Sequence, residues 1–107
     1  MSQPVLVLTT FPASWDGPAA ARQLVDARLA ACVTVLPPVV SVYRWNDGIS
    51  SEPEQQLVIK TTEARLEALQ AWMAATHPYE VPEFLVLPVS GGGEAYLAWL
   101  TASVEGE

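Results

Sequence analysis

The feature of this sequence that most constrains its fold is one series of strand-like and helix-like segments with no repeat or linker between them. Runs rich in β-branched and apolar residues alternate with segments whose apolar residues recur every three or four positions. The predicted strands cover residues 4–10, 32–45 with a break at Pro37-Pro38, 55–61 and 83–89, and the predicted helices cover residues 19–29, 63–76 and 94–104. This β-α-β-β-α-β order followed by a helix predicts an α+β, ferredoxin-like sandwich.

Proline, glycine and turn-forming residues set the predicted ends of these elements. Asp16-Gly17-Pro18 predicts the start of the first helix, with proline suited to the first helical position. The second helix must stop by His77, because Pro78 disfavours helical geometry in the residue before it. Asn46-Asp47-Gly48 predicts a turn, and residues 50–53 are predicted to continue that loop.

We expect a single domain over residues 1–107, because a chain of this length supplies one core of ordinary size and not two. In the predicted sandwich both crossover helices pack on one face of a four-stranded antiparallel sheet. Nothing in that arrangement covers the other face. Half of the residues are hydrophobic and only 16% are charged, against about 25% in an average soluble chain. We therefore expect the uncovered apolar surface to be buried in an oligomer.

Composition and charge exclude several classes of protein. The longest apolar runs are far too short to cross a membrane. No basic residue precedes the first apolar stretch, so a signal peptide is not expected, and the single cysteine cannot form an internal disulfide. These features predict a cytoplasmic protein. The net charge of −7 and five scattered basic residues exclude a nucleic-acid partner and disfavour a membrane surface.

The most distinctive stretch is residues 77–83, HPYEVPE in one-letter code. Its two prolines stiffen the backbone into an extended segment. The only histidine, His77, is followed within six residues by Tyr79, Glu80 and Glu83. This stretch is either a ligand or proton-transfer site on a rigid loop, or a helix stop followed by a stiff connection into the next strand.

Two further polar residues have open interpretations. Cys32 lies where a helix gives way to a strand, and its thiol can bind a soft metal such as copper or simply pack in the interior. No second soft ligand lies at metal-site spacing from it. Lys60, the only lysine, can receive an anionic ligand or pair with a carboxylate such as Glu54.

Ser41, Tyr43 and Trp45 alternate along one face of the second predicted strand and indicate a subunit interface or a part of the core. No pattern predicts an enzyme. The Gly-x-Ser-x-Gly motif is absent, the histidine has no placed acid partner, and Gly91-Gly92-Gly93 lacks the Lys-Ser/Thr that follows in a phosphate loop.

Taken together, these residues resemble the CutA family of divalent-cation tolerance proteins over nearly the whole chain. The matching segments are Leu29-Ala30-Ala31-Cys32-Val33, Ser41-Val42-Tyr43-Arg44-Trp45, Glu54 with Lys60-Thr61-Thr62, His77-Pro78-Tyr79-Glu80-Val81-Pro82-Glu83, and Tyr96-Leu97-Ala98-Trp99-Leu100. The resemblance implies a ferredoxin-like homotrimer, linked to tolerance of copper and other divalent cations. Ser41, Tyr43 and Trp45 are then expected at the trimer interface.

The resemblance also implies site residues. His77 matches the family's candidate metal ligand and Cys32 its cysteine, with Glu80 and Glu83 as weaker, harder donors. Thr9 and Thr76 stand where some family members have a cysteine and a histidine.

We therefore expect a trimeric, non-enzymatic protein that binds Cu²⁺ or another divalent cation and has no organic cofactor. The alternative is a trimer similar to the PII signalling proteins, with a small ligand or partner in an intersubunit cleft. The predicted cleft residues are Tyr43, Trp45, Glu54, Lys60 and Tyr79.

Overall fold

A computed structural model describes residues 2–105 and confirms the mixed α+β prediction. The elements are β1 (Pro4–Pro12), α1 (Gly17–Asp26), β2 (Cys32–Val35), β3 (Val39–Trp45), β4 (Gly48–Thr62), α2 (Leu66–Thr76, after a 3₁₀ turn over Glu63–Arg65), β5 (Leu85–Pro88) and α3 (Glu94–Val104). The sheet order is β2-β4-β1-β5, every pair is antiparallel, and β3 pairs with the outer half of β4. No helix in the described range is long and apolar enough to span a membrane.

Helix α1 begins where the sequence predicts and ends earlier. The Asp16 carboxylate accepts a hydrogen bond from the Ala19 amide at 3.0 Å, which caps the first turn. Arg28 adopts a positive φ of 59°, and the amides of Arg28 and Leu29 donate back to Val25 and Leu24. This pattern of backbone hydrogen bonds is a Schellman motif. The helix therefore stops at Asp26, although the apolar spacing predicted that it would continue to residue 29.

The largest departure from the predicted elements is β4, which runs unbroken for 15 residues. Residues 50–53 were expected to lie in a loop, but they pair with residues 40–43 of β3. Asn46 and Asp47 form a two-residue turn, with φ of 50° and 62°, and Gly48 is already in the strand. Next to this segment of β4, β1 extends beyond the predicted residue 10, because Phe11 and Pro12 pair with Gln55 and Glu54.

The core lies between one sheet face and helices α1 and α2. The buried residues at its centre are Val5, Val7, Phe11, Leu24, Ala30, Leu57, Ile59, Leu69 and Met73. The side chain of Val25 on α1 lies outside this core and is 43% exposed. Side chains alternate along each strand, so Lys60 points to the opposite face from the buried Ile59. The Lys60 ammonium donates to the Tyr96 hydroxyl of α3 at 3.2 Å, so α3 lies along part of that second face.

Candidate functional site

An open cleft of about 810 Å³ lies between the β3–β4 arm and the loop that follows α2. One wall is formed by Ser41, Val42, Tyr43 and Trp45 of β3, the floor by Thr10 and Glu54, and the other wall by residues 78–83. The two prolines of the loop keep it extended along the cleft. The strand pairing of β3 with β4 holds the aromatic side chains opposite the loop.

His77 fastens this loop to the edge of the sheet. Its Nε2 lies 2.7 Å from the Thr10 carbonyl oxygen, and its Nδ1 lies 3.1 Å from the Tyr79 amide nitrogen. A carbonyl only accepts and an amide N–H only donates, so Nε2 carries the hydrogen and Nδ1 is the acceptor. This is the neutral ring. Burial lowers the pKa of His77 below its usual value, which agrees with a neutral ring.

Tyr79 connects the loop to the floor of the cleft. Its hydroxyl donates to the Glu54 carboxylate at 2.6 Å, and Glu54 is only 7% exposed. Burial, followed by this hydrogen bond and the charge of Glu54, raises the pKa of the Tyr79 phenol well above its usual value. The phenol therefore stays protonated and keeps donating.

The cleft is strongly acidic. Glu54, Glu80 and Glu83 line it, and no lysine, arginine or histidine is among its lining residues. Burial and the neighbouring charge of Glu54 raise the pKa of Glu83, although the Gln56 amide donates to its carboxylate at 2.9 Å. A cation entering the cleft would relieve this repulsion between carboxylates.

Most of the residues predicted for a ligand cleft come together here. Tyr43, Trp45, Glu54 and Tyr79 line the same cavity, and Ser41, Glu80 and Glu83 line it with them. Lys60 does not, because it extends toward Tyr96, and that hydrogen bond raises its pKa.

Cys32 is also remote from His77. It pairs in register with Lys60, whereas Thr10, the partner of His77, pairs with Gln56. Four residues along β4 correspond to about 13 Å. Among residues 2–105, no three His, Cys, Asp or Glu side chains are grouped closely enough to hold a metal ion. The assignment of metal ligands stays a prediction.

Two contributors to the site were missed by the sequence analysis. Thr10 acts through its backbone carbonyl, so no side-chain pattern could have marked it. Gln56 lies in a strand interior and becomes relevant only because Glu83 folds back onto it. Both depend on contacts between segments that are distant along the chain.

Comparison with known proteins gives a consistent result. The family description "CutA1 divalent ion tolerance protein" matches residues 5–103. The divalent-cation tolerance protein CutA of Pectobacterium atrosepticum is 43% identical over 94% of this chain and 91% of its own length. The crystal structure of CutA1 from Oryza sativa superposes with a TM-score of 0.93 at 37% identity, covering 99% of this chain and 97% of that one.

The predicted cytoplasmic location is contradicted by the names of other relatives. The chloroplastic CutA protein of Arabidopsis thaliana is 40% identical over 92% of this chain, which spans 54% of the plant protein's length. A similar structure from Archaeoglobus fulgidus (TM-score 0.89, 25% identity, 95% of this chain and 99% of that one) is described as a periplasmic divalent cation tolerance protein. The prediction failed because a lone cysteine forms no internal disulfide in any compartment and does not discriminate between them.

Proposed function

Because this chain belongs to the CutA1 divalent ion tolerance family, we propose that it contributes to cation tolerance by binding a divalent cation, Cu²⁺ among the candidates, as a homotrimer and without an enzymatic step. The names of the relatives favour this function over the PII-like alternative. The physical argument for cation binding rests on the cleft.

The observation that carries the proposal is the negative charge of that cleft, whose described lining residues include no lysine, arginine or histidine. Three glutamates line it, and Glu54 is buried with a neutral phenol as its hydrogen-bond partner. A buried carboxylate without a cationic partner is costly, and a divalent cation beside it lowers that cost. The electrostatic field of the cleft therefore favours a divalent cation over an anion or a neutral ligand.

The proposed donors are the carboxylates of Glu80 and Glu83, which lie on the loop wall. Oxygen donors suit hard and borderline divalent cations, and copper binds more tightly where an imidazole joins them. His77, the ligand predicted from the sequence, would join them only after giving up one of its two hydrogen bonds. A thiol ligand from Cys32 would have to come from a neighbouring copy, since Cys32 lies elsewhere on the sheet of its own chain.

The homotrimer is supported by apolar surface that one chain leaves in water. The exposed apolar side chains of the arm and of β5 include Val40 (70%), Val42 (67%), Ile49 (72%), Trp45 (52%) and Leu85 (55%). Large apolar side chains exposed to this extent favour an interface. Cyclic association of identical chains would bury it, and would also bring further donors to a site that has too few in one chain.

Equilibrium dialysis against Cu²⁺, Zn²⁺ and Mn²⁺ tests cation binding directly. We expect about one cation per chain, and affinity at least about tenfold lower in a Glu80→Gln/Glu83→Gln double variant. The matched control is Glu63→Gln/Glu67→Gln, which removes the same charge from exposed positions outside the cleft. Absence of binding at micromolar cation, or equal losses in both double variants, would contradict the proposal.

A further inference from the structure

We infer that the His77 ring is a clasp, which links β1 to the loop 77–83 through two hydrogen bonds and so positions the acidic cleft. The ring does not itself hold the cation. The inference deepens the proposed function and rests on it for the identity of the ligand. It goes against the sequence-based expectation that the only histidine is the main metal ligand. The inference rests on the contacts of the His77 ring.

The clasp closes a place where the sheet is incomplete. Strand β5 pairs with β1 only at residues 5–8, so the second half of β1 has no strand on that side within the described chain. Thr10 directs its carbonyl to this edge, and the Nε2–H of His77 satisfies it at 2.7 Å. The imidazole thus replaces a missing strand hydrogen bond.

The ring has no free lone pair for a metal ion. A metal binds imidazole in the ring plane, at a nitrogen that carries no hydrogen. In the neutral ring that nitrogen is Nδ1, and the Tyr79 amide already donates to it. The ring is also fixed face-on against the buried Phe11, with centroids 4.2 Å apart and planes 21° apart. Turning it toward a cation would break this stacking and one hydrogen bond.

The same contacts explain how the clasp acts on the cleft. Fixing the Tyr79 amide fixes the start of the loop, and the Tyr79 hydroxyl then reaches Glu54 on the floor. Glu80 and Glu83 follow on the same stiff segment. A continuous path of hydrogen bonds therefore runs from Thr10 through His77 and Tyr79 to Glu54, and it joins the loop wall to the sheet.

Two substitutions separate positioning from ligation. His77→Asn removes the imidazole, but asparagine commonly accepts a hydrogen bond from the amide two residues on, so the Tyr79 contact can be kept. His77→Ala removes both contacts. If His77 positions the loop, cation affinity falls at least about tenfold in His77→Ala and by a smaller factor in His77→Asn, which loses the donor to Thr10 but keeps the acceptor for the Tyr79 amide. If His77 is a ligand, both variants lose affinity alike, and the inference is overturned.

Nuclear magnetic resonance gives a readout that needs no cation. In the parent protein we expect the ¹⁵N signals of a neutral ring with hydrogen on Nε2, together with slow hydrogen exchange of the Tyr79 amide. That exchange should stay slow in His77→Asn and become fast in His77→Ala. The opposite tautomer, or Tyr79 exchange that is the same in all three proteins, would overturn the inference.

Adding Zn²⁺ to the labelled parent protein completes the test. Positioning predicts that the ring keeps its tautomer and that both nitrogen signals stay close to their positions in the free protein. A shift of Nδ1 or Nε2 to the position of a metal-bound nitrogen would overturn the inference and leave the proposed function intact. If the parent binds no cation in dialysis, the proposed function fails, and the cation-free measurements still decide whether His77 is the clasp.

Discussion

Thr9 and Thr61 show how two identical side chains on the same buried sheet face differ in their hydrogen bonding. Both are 0% exposed. The Thr61 hydroxyl donates to the Leu29 carbonyl at 2.8 Å, whereas the Thr9 hydroxyl is buried with no hydrogen-bond partner in the described chain. A buried hydroxyl that loses its water without gaining a partner costs about 1–3 kcal/mol. Thr9, which stands where some family members have a cysteine, therefore also lowers the stability of the core.

Replacing each threonine by valine should change stability in opposite directions. Thr9→Val removes an unsatisfied hydroxyl at nearly constant volume, and we expect the free energy of unfolding to rise by about 1 kcal/mol. Thr61→Val removes the hydrogen-bond donor to the Leu29 carbonyl. We expect the free energy of unfolding to fall by about 1 kcal/mol. Denaturant unfolding at one fixed protein concentration measures both. A loss of stability in Thr9→Val would show that its hydroxyl has a partner.

At the scale of the elements, the β3–β4 arm shows where sequence patterns and strand pairing agree and where they diverge. Asn46-Asp47-Gly48 was correctly predicted to be the turn. The two central residues are Asn46 and Asp47, which both take positive φ, and Gly48 pairs with Trp45 as the first residue of β4. A two-residue turn of this kind matches the twist of its strands but strains residues that have a Cβ. Residues 50–53 looked like loop because serine and proline favour loops, yet β3 supplies their strand partners.

The turn geometry gives a test at the same scale. Asp47→Gly relieves the left-handed strain, and we expect the free energy of unfolding to rise by up to about 1 kcal/mol. Gly48→Ala should be nearly neutral, since a Cβ there meets no atom closer than 3.8 Å and the backbone is not left-handed. Thermal unfolding of the two variants and the parent protein measures both changes in stability. A destabilised Gly48→Ala with an unchanged Asp47→Gly would indicate that the turn is centred one residue later.

At the scale of the whole molecule, the arm makes the chain longer than a compact domain of its size. The principal extents are 44 × 25 × 23 Å, and the radius of gyration is 14.5 Å, against about 13 Å for a compact chain of this length. The projecting strands carry three of the four most exposed large apolar side chains in the described range, Ile49, Val40 and Val42. An arm of two strands has little stability alone in water. Its length and composition are therefore consistent with burial against other copies.

Association is tested by sedimentation equilibrium of the parent and two charge variants. We expect the parent to sediment at three times the mass of its chain, and Trp45→Glu to dissociate, because a buried, unpaired carboxylate opposes association. Val25→Glu places the same charge on an exposed apolar position of α1 and should leave the trimer intact. A monomeric parent at micromolar concentration, or dissociation by Val25→Glu alone, would contradict the proposed interface.

The sequence by itself determined most of the local structure. Apolar periodicity, Pro18, Pro78 and the Asn-Asp-Gly turn depend on residues near one another in the chain, and they placed the helices and strands close to their observed positions. The segment 77–83 was also correctly predicted to follow the end of the second helix, which stops at Thr76. Family membership followed from the same short segments in their order along the chain.

Only the tertiary structure decided which of these segments meet. The antiparallel register places Cys32 beside Lys60 and away from His77. The two candidate metal ligands suggested by the sequence therefore do not share a site within one chain. The incomplete edge of β1 gives the His77 ring a carbonyl to satisfy, and the return of the loop brings Tyr79 to Glu54. Such contacts join residues dozens of positions apart, and their energies depend on strand register and burial, which no local pattern of residues encodes.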